Sequence, residues 1–140
     1  MTERPQVPAA LVDRLRRLCL VLPEVREEEA WIGTRWRVRS KTFAHVNMVA
    51  DGWPPVYARV IGVAADDEPV VVLTFRSAGD ELQALANLGR PYFRAPWAPG
   101  AAGLLLDHDT DWDEVAELVT ESYCLQAPQK LAARVDRPGG

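Results

Sequence analysis

The sequence predicts an α+β domain, an antiparallel β-sheet packed against helices, and three observations predict it. Residues 111–131, DWDEVAELVTESYCLQAPQKL, read as a capped amphipathic helix, a proline stop and a short basic coda. TRWRVR (34–39) and FAHVNMV (43–49) read as two strands joined at Ser40-Lys41. VYARVIGV (56–63) and VVVLTF (70–75) are β-branched strand candidates separated by the polar turn AADDEP. Consecutive strands with short connections favour an antiparallel sheet over a βαβ array.

The chain has 140 residues, a length that suits one domain spanning 1–140 with loose ends at about 1–7 and 134–140. A domain of this size hides roughly 70% of the surface its unfolded chain exposes, so a real core is expected. The formal net charge of −4 argues against bulk coating of nucleic acid and leaves a local basic patch open. Cys19 and Cys124 fall on expected helices and make no disulfide framework. No stretch approaches the ~20 apolar residues of a membrane span, and the N-terminal MTERPQVPAA lacks a signal-peptide core. A cytoplasmic protein with no membrane partner is expected.

Taken in order, Pro8 suits a first helical turn, and Leu11, Leu15, Leu18 and Leu22 recur at helical spacing until Pro23 ends the helix. Glu27, Glu28 and Glu29 read as a solvated connector able to pair with nearby arginines. In 34–39 period two puts Arg35, Arg37 and Arg39 on one strand face and Trp36 and Val38 on the other. The same alternation groups His45 with Phe43 and Asn47, opposite Ala44, Val46 and Met48. Gly62 reads as a bulge. Residues 77–88 read as a helix capped by Ser77, with Asp80 and Glu81 in its first turn and Gly89 as its stop. RPYFRAPWAPGAAG (90–103) reads as a loop whose three prolines exclude a central strand, and Leu104–Leu106 as a short strand. In the last helix, Trp112, Val115, Ala116, Leu118, Val119, Tyr123 and Leu125 form the packing arc. Asp113, Glu117, Thr120, Glu121 and Cys124 form the solvated one.

Few residues carry chemistry. The aspartates at 107, 109, 111 and 113 have the alternation of a calcium loop, but Trp112 and Leu118 stand where the turn glycine and the last glutamate belong. No metal and no cofactor are expected, and no phosphate loop, dinucleotide fingerprint, nucleophile elbow or paired C-x-x-C is present. A nucleophile needs a base and a group to orient it, and neither is evident, so the chain is read as non-catalytic. Two binding surfaces remain. Arg35, Arg37, Arg39 and Lys41 concentrate positive charge on the hairpin, where a ladder of about 7 Å per step suits phosphates, with Lys130 as an accessory. Alternatively, Tyr92, Phe93 and Trp97 in the 90–103 loop, with Trp31 and Trp53 nearby, line a small-molecule pocket or a protein-partner surface.

Five segments taken together, LPEVREEEAWIG, RWRVRSKTFAHV, VVLTFRS, RPYFRAPW and DWDEVAELVTESYCLQAPQKLAA, resemble the MmcQ/YjbR family from about Leu11 to Ala133. The C-terminal block is the most specific part. The resemblance implies a CyaY-like, double-wing-like α+β fold and a DNA-binding role, with DNA as the possible partner through phosphate contacts.

Overall fold

The computed structural model describes residues 6–135. Six strands form one antiparallel sheet: β1 (Val25–Glu29), β2 (Thr34–Val38), β3 (Lys41–Val49), β4 (Val70–Arg76), β5 (Tyr92–Arg94) and β6 (Ala101–Leu106). Their spatial order is β1-β2-β3-β4-β6-β5. Five helices complete the domain: α1 (Ala9–Cys19), α2 (Pro55–Ile61), α3 (Gly79–Leu88), α4 (Trp112–Gln126) and α5 (Gln129–Ala132). No helix among the described residues is long and apolar enough to cross a membrane.

The main core lies between α1, α4 and one sheet face. Leu15 and Cys19 of α1 and Val115, Leu118, Val119 and Tyr123 of α4 meet Trp36, Val38, Val46, Leu73, Phe75 and Leu104. Asp111 caps α4 as its sequence predicts, its Oδ1 accepting from the N–H groups of Asp113 (3.1 Å) and Glu114 (3.3 Å). Three positions on α4 depart from the predicted arcs: Thr120 is buried, Cys124 is half-buried against the main core, and Leu125 is exposed. Ser122 is also buried. Its hydroxyl donates to the Phe43 carbonyl (2.6 Å) and accepts from the Arg76 amide (2.7 Å), tying β3 to β4 beyond their last ladder pair, Ala44–Phe75.

Several expected elements differ. Residues 55–61 are a helix, not a strand. Pro55 starts it with φ already set for a helix, and Gly62 stops it at φ +72 as a C-cap, not as a bulge. Tyr57, Ala58, Val60 and Ile61, at spacings of one, two and one, then share a face toward the second core. The glutamate run is not a connector but edge strand β1, and two cross-strand pairs support it: the Trp36 indole donates to Glu27 and Arg35 donates to Glu28. Charges on an edge strand also discourage pairing with another chain. Tyr92–Arg94 is a three-residue edge strand, which proline allows at the edge. Ser77 does not cap α3: Ala78 occupies the cap position, and the buried Ser77 hydroxyl has no partner. Val7 and Val135 pack on the core, and a helical turn carries the chain to Val135. The rest of the expected loose ends, 1–5 and 136–140, lies outside the described residues.

The opposite sheet face is only half covered. Beneath α2 and the 95–98 loop, Val49, Val72, Phe93, Ala95 and Ala101 form a second core with Tyr57 and Ala58. Over β1, β2 and β3 this face carries polar side chains.

Candidate ligand cleft on the open sheet face

The strand registers draw a single row across all six strands of the half-covered face: Glu28, Arg35, His45, Thr74, Gly103 and Phe93. Direct partners in neighbouring strands lie about 5 Å apart, so each residue touches the next. At the far end Gly103 leaves room that the Phe93 ring takes up. A Cβ at Gly103 would come within 2.1–2.6 Å of three ring atoms. Trp97 lies 6.4 Å from Phe93 and 4.4 Å from Tyr57, centroid to centroid, so Trp97 and Tyr57 form an aromatic wall against which Phe93 packs. Between this wall and the polar part of the row is a cleft of about 180 Å³, lined by Arg35, His45, Tyr57, Thr74, Arg76 and Trp97.

Each polar group has a defined state. His45 Nε2 lies 2.6 Å from the Ile32 carbonyl oxygen, which can only accept, so Nε2 carries the proton and Nδ1 is an acceptor. Burial holds the His45 pKa below its usual range, and the positive charge of Arg35 adds to this, against the opposing bond to Ile32. The imidazole is therefore neutral at pH 7. Burial pushes the Tyr57 phenol up to about 12, so it stays an un-ionised hydroxyl. Arg76 Nη1 donates to the Pro99 carbonyl (2.7 Å) and has no carboxylate partner among the described residues.

The hairpin cations are differently placed. Arg35 Nε (2.6 Å) and Arg37 Nη1 (3.0 Å) both donate to Glu28 Oε1, and these bonds, that from Arg37 first, hold the Glu28 carboxyl below its usual range. Arg37 also donates to the Ser40 carbonyl (2.6 Å), while its Nε is buried without a partner. The expected three-arginine ladder is broken. β2 ends at Val38, and Arg39 turns away at φ +56 to meet Glu24 at 3.2 Å. A bulge at Phe43, opposite Trp36 and Arg37, also shifts β3. Phe43 thus joins Ala44 in the main core, while His45 and Asn47 keep the predicted face. Lys41 and Lys130 are exposed, with no ion pair among the described residues.

The five aromatic residues expected to share a pocket do not. Tyr92 and Phe93 are adjacent in a strand and point to opposite faces, Tyr92 onto the main core and Phe93 onto the second. Trp31 and Trp53 border a different cleft, beyond the 30–33 turn. Only Trp97 reaches the open-face cleft. Tyr57, Thr74 and Arg76 were not legible as site residues. Tyr57 is hidden by the strand-like composition of α2, and the other two enter only through the β4 register. No three His, Cys, Asp or Glu residues among the described ones gather as metal ligands. Instead, Asp107 accepts from the Asp109 amide (2.8 Å) in a turn, and Asp111 caps α4.

Fold and site together define a small α+β protein built on one antiparallel sheet with a single half-open face. A comparison with protein families matches YjbR over residues 20–125, and the chain belongs to that family. Two solved structures share the fold. One, a protein from Pseudomonas syringae, has a TM-score of 0.62 and 15% identity, covering 86% of this chain and 98% of its own. The other, a Deinococcus radiodurans protein with a DUF419 domain, has a TM-score of 0.62 and 17% identity, covering 92% of each chain. No curated protein matches.

Proposed function

We propose that this YjbR-family chain is a non-catalytic cytoplasmic binding module whose ligand is a small anionic molecule held in the open-face cleft. The observation that carries the reading is the cleft's asymmetry. One wall is the apolar surface of Trp97 and Tyr57, their ring planes tilted by 42°, and the other presents Arg76, a cation with no carboxylate partner among the described residues, beside neutral His45 and Thr74. At about 180 Å³ the cleft is below the ~300 Å³ at which drug-sized sites begin, so a compact ligand with one carboxylate or phosphate fits best. No hydroxyl or thiol among the described residues is hydrogen-bonded to His45 Nδ1, and Cys19 is buried on the opposite face. The two unpaired cysteines support a reducing compartment.

A second reading, DNA contact through the hairpin, has one observation in its favour. Two guanidinium groups share the single Glu28 carboxylate, which leaves a unit of positive charge beside exposed Lys41. Phosphates would still have to compete with Glu28 and Glu24 for Arg35, Arg37 and Arg39.

Titration with acetate, benzoate and phosphate, followed by NMR, tests the first reading. Saturable shifts at Trp97, Tyr57 and His45, lost in Arg76→Gln, are expected; no movement at those residues with any of the three sinks it. Titration with duplex DNA at low and moderate salt, with Arg37→Glu as control, tests the second. Phosphate binding requires steep loss with salt and a further loss in the mutant.

A further inference from the structure

The outer edge of β5 borders a groove of about 310 Å³ between the ends of α2 and α3. Val60 and Ile61 of α2 line one side, Ala86 and Gly89 at the end of α3 line the other, and the chain from Arg90 to Arg94 runs along it. The two helices lie on opposite sheet faces, α2 over the second core and α3 over the main one. The groove is distinct from the open-face cleft, with which it shares no lining residue among the described ones.

Hydrogen bonding along β5 settles which backbone groups face outward. The Pro91 carbonyl accepts from the Leu105 amide (2.9 Å), and the Ala95 amide donates to the Ala101 carbonyl (3.0 Å). In an antiparallel pair, residues that bond to the neighbouring strand alternate with residues that face away from it. Pro91, Phe93 and Ala95 therefore bond to β6, whereas Tyr92 and Arg94 turn their N–H and C=O groups to the outer edge. The Tyr92 amide is taken by the Gly89 carbonyl (2.9 Å). The Tyr92 carbonyl and both backbone groups of Arg94 have no such partner among the described residues. An edge with open groups is a template for another strand.

The side chains add charge and apolar surface. Arg90 and Arg94 are exposed, and neither has an ion pair among the described residues. Alternation puts Arg94 on the same face as Tyr92, toward α3, and leaves Val60 and Ile61 to line the α2 side. A strand laid in the groove meets cations on one face and aliphatic side chains on the other.

We propose that the β5 edge is a docking site for a short, extended acidic peptide, which pairs antiparallel with Tyr92–Arg94 as the strands of the sheet pair with one another. The peptide residue opposite Arg94 exchanges two hydrogen bonds with it, and the Tyr92 carbonyl accepts a third from the residue two further along. Backbone bonds of this kind supply affinity, and alternate side chains supply specificity. Acidic side chains meet Arg94 and, at the start of the strand, Arg90, while the intervening apolar ones meet Val60 and Ile61. The two arginines select an acidic occupant. Pro91 and Pro96 lack amide donors and close the open edge at three bonds, which suits a short segment and not a second sheet.

The probes are the acetylated, amidated hexapeptides VEVEVE and VKVKVK, two N-methylated forms of the first, and hexanoate, an apolar anion without a backbone. Each is titrated into the full chain at constant ionic strength, with the Arg94 amide followed by NMR shift and by hydrogen exchange. The acidic peptide should give saturable shifts and slow exchange of the Arg94 amide several-fold, and the basic one should do neither. In this register the glutamate amides face β5, so N-methylation at the glutamates should abolish binding and N-methylation at the valines should be tolerated. Arg94→Gln and Arg90→Gln should each weaken binding by up to about fivefold, as for an exposed ion pair. Both side chains are exposed, so neither change threatens the fold. If hexanoate moves the Arg94 amide as strongly as the acidic peptide, the groove is a small-anion site and the inference is wrong. It fails equally if the glutamate-methylated or the basic peptide binds as well as VEVEVE, or if no peptide moves that amide. Shifts of the Arg94 amide with protein concentration alone would assign the edge to a second copy of the chain and overturn it too.

Discussion

Gly33→Ala probes the joint on which both clefts depend. The turn holding Gly33 supplies the Ile32 carbonyl that fixes His45 and carries Trp31 to the rim of the neighbouring cleft. Alanine there meets two costs. The left-handed backbone at φ +70 disfavours any Cβ, by about 1–2 kcal/mol. The new Cβ would also lie 1.9 Å from the Val46 oxygen and 2.9 Å from Asn47 Cα and Cβ, atoms of the packed β3 strand that cannot swing aside. Overpacking of this kind costs about 1–3 kcal/mol, for a combined loss of roughly 2–5 kcal/mol. Domains are stable by only about 5–15 kcal/mol, so the loss is large. Gly62→Ala is the control: φ there is +72, yet nothing lies within 4 Å, so only the conformational cost of about 1–2 kcal/mol applies. Urea unfolding of both variants reads the difference as a shift in midpoint at unchanged slope. If Gly33→Ala falls within ~0.5 kcal/mol of Gly62→Ala, a gap no wider than that between unrelated surface substitutions, the turn does not press on β3 and the account of both clefts fails.

Three further outcomes are expected. Ser122→Ala leaves the Phe43 carbonyl and the Arg76 amide unpaired in a dry interior, a loss of about 2–4 kcal/mol, with faster hydrogen exchange at the Arg76 amide. Unchanged exchange there would mean the hydroxyl bridge is not formed in solution. His45→Gln keeps an N–H for Ile32 but removes the titration. With the folded His45 pKa below the ordinary 6.5, wild type and variant should run parallel above pH 6.5. As pH falls from 6.5 toward the folded pKa, the unfolded chain takes the proton first, and wild type should lose stability relative to the variant by up to about 1.4 kcal/mol per pH unit. Parallel curves down to pH 5 would refute a depressed His45. Glu28→Gln frees Arg35 and Arg37 from their shared carboxylate. If the hairpin contacts phosphate, duplex-DNA affinity should rise several-fold at low salt with a steeper salt dependence, and unchanged affinity counts against the hairpin as a nucleic-acid surface.

How far the sequence carried the fold differs by element. α4 was legible because its cap, acidic first turn and proline stop are local and agree with one another. β2 and β3 were legible from alternation. α2 was not: Val56, Val60 and Ile61 favour strand, and the deciding signals were the proline pair at its start and the αL glycine at its end. β1 was missed because three glutamates have poor strand propensity. What holds them extended is their cross-strand and α1 partners: Arg35 and Arg37 for Glu28, and Arg16 with the Trp36 indole (2.8 Å) for Glu27.

For the candidate sites, the sequence by itself determined which residues are chemically capable: the arginines of 35–39, the exposed tryptophans, a lone histidine, and no assembled catalytic motif. Only the tertiary structure decided which cations are already neutralised and which remain available. Glu28 reaches Arg35 and Arg37 because antiparallel register sets β1 against β2, whereas the Arg76 side chain, at the end of β4, donates to the Pro99 carbonyl oxygen and has no carboxylate partner among the described residues. Register also sets His45 against Thr74, and a one-residue bulge at Phe43 changes which side chains are buried. Pairings of this kind join residues far apart in the chain, and no local pattern encodes them.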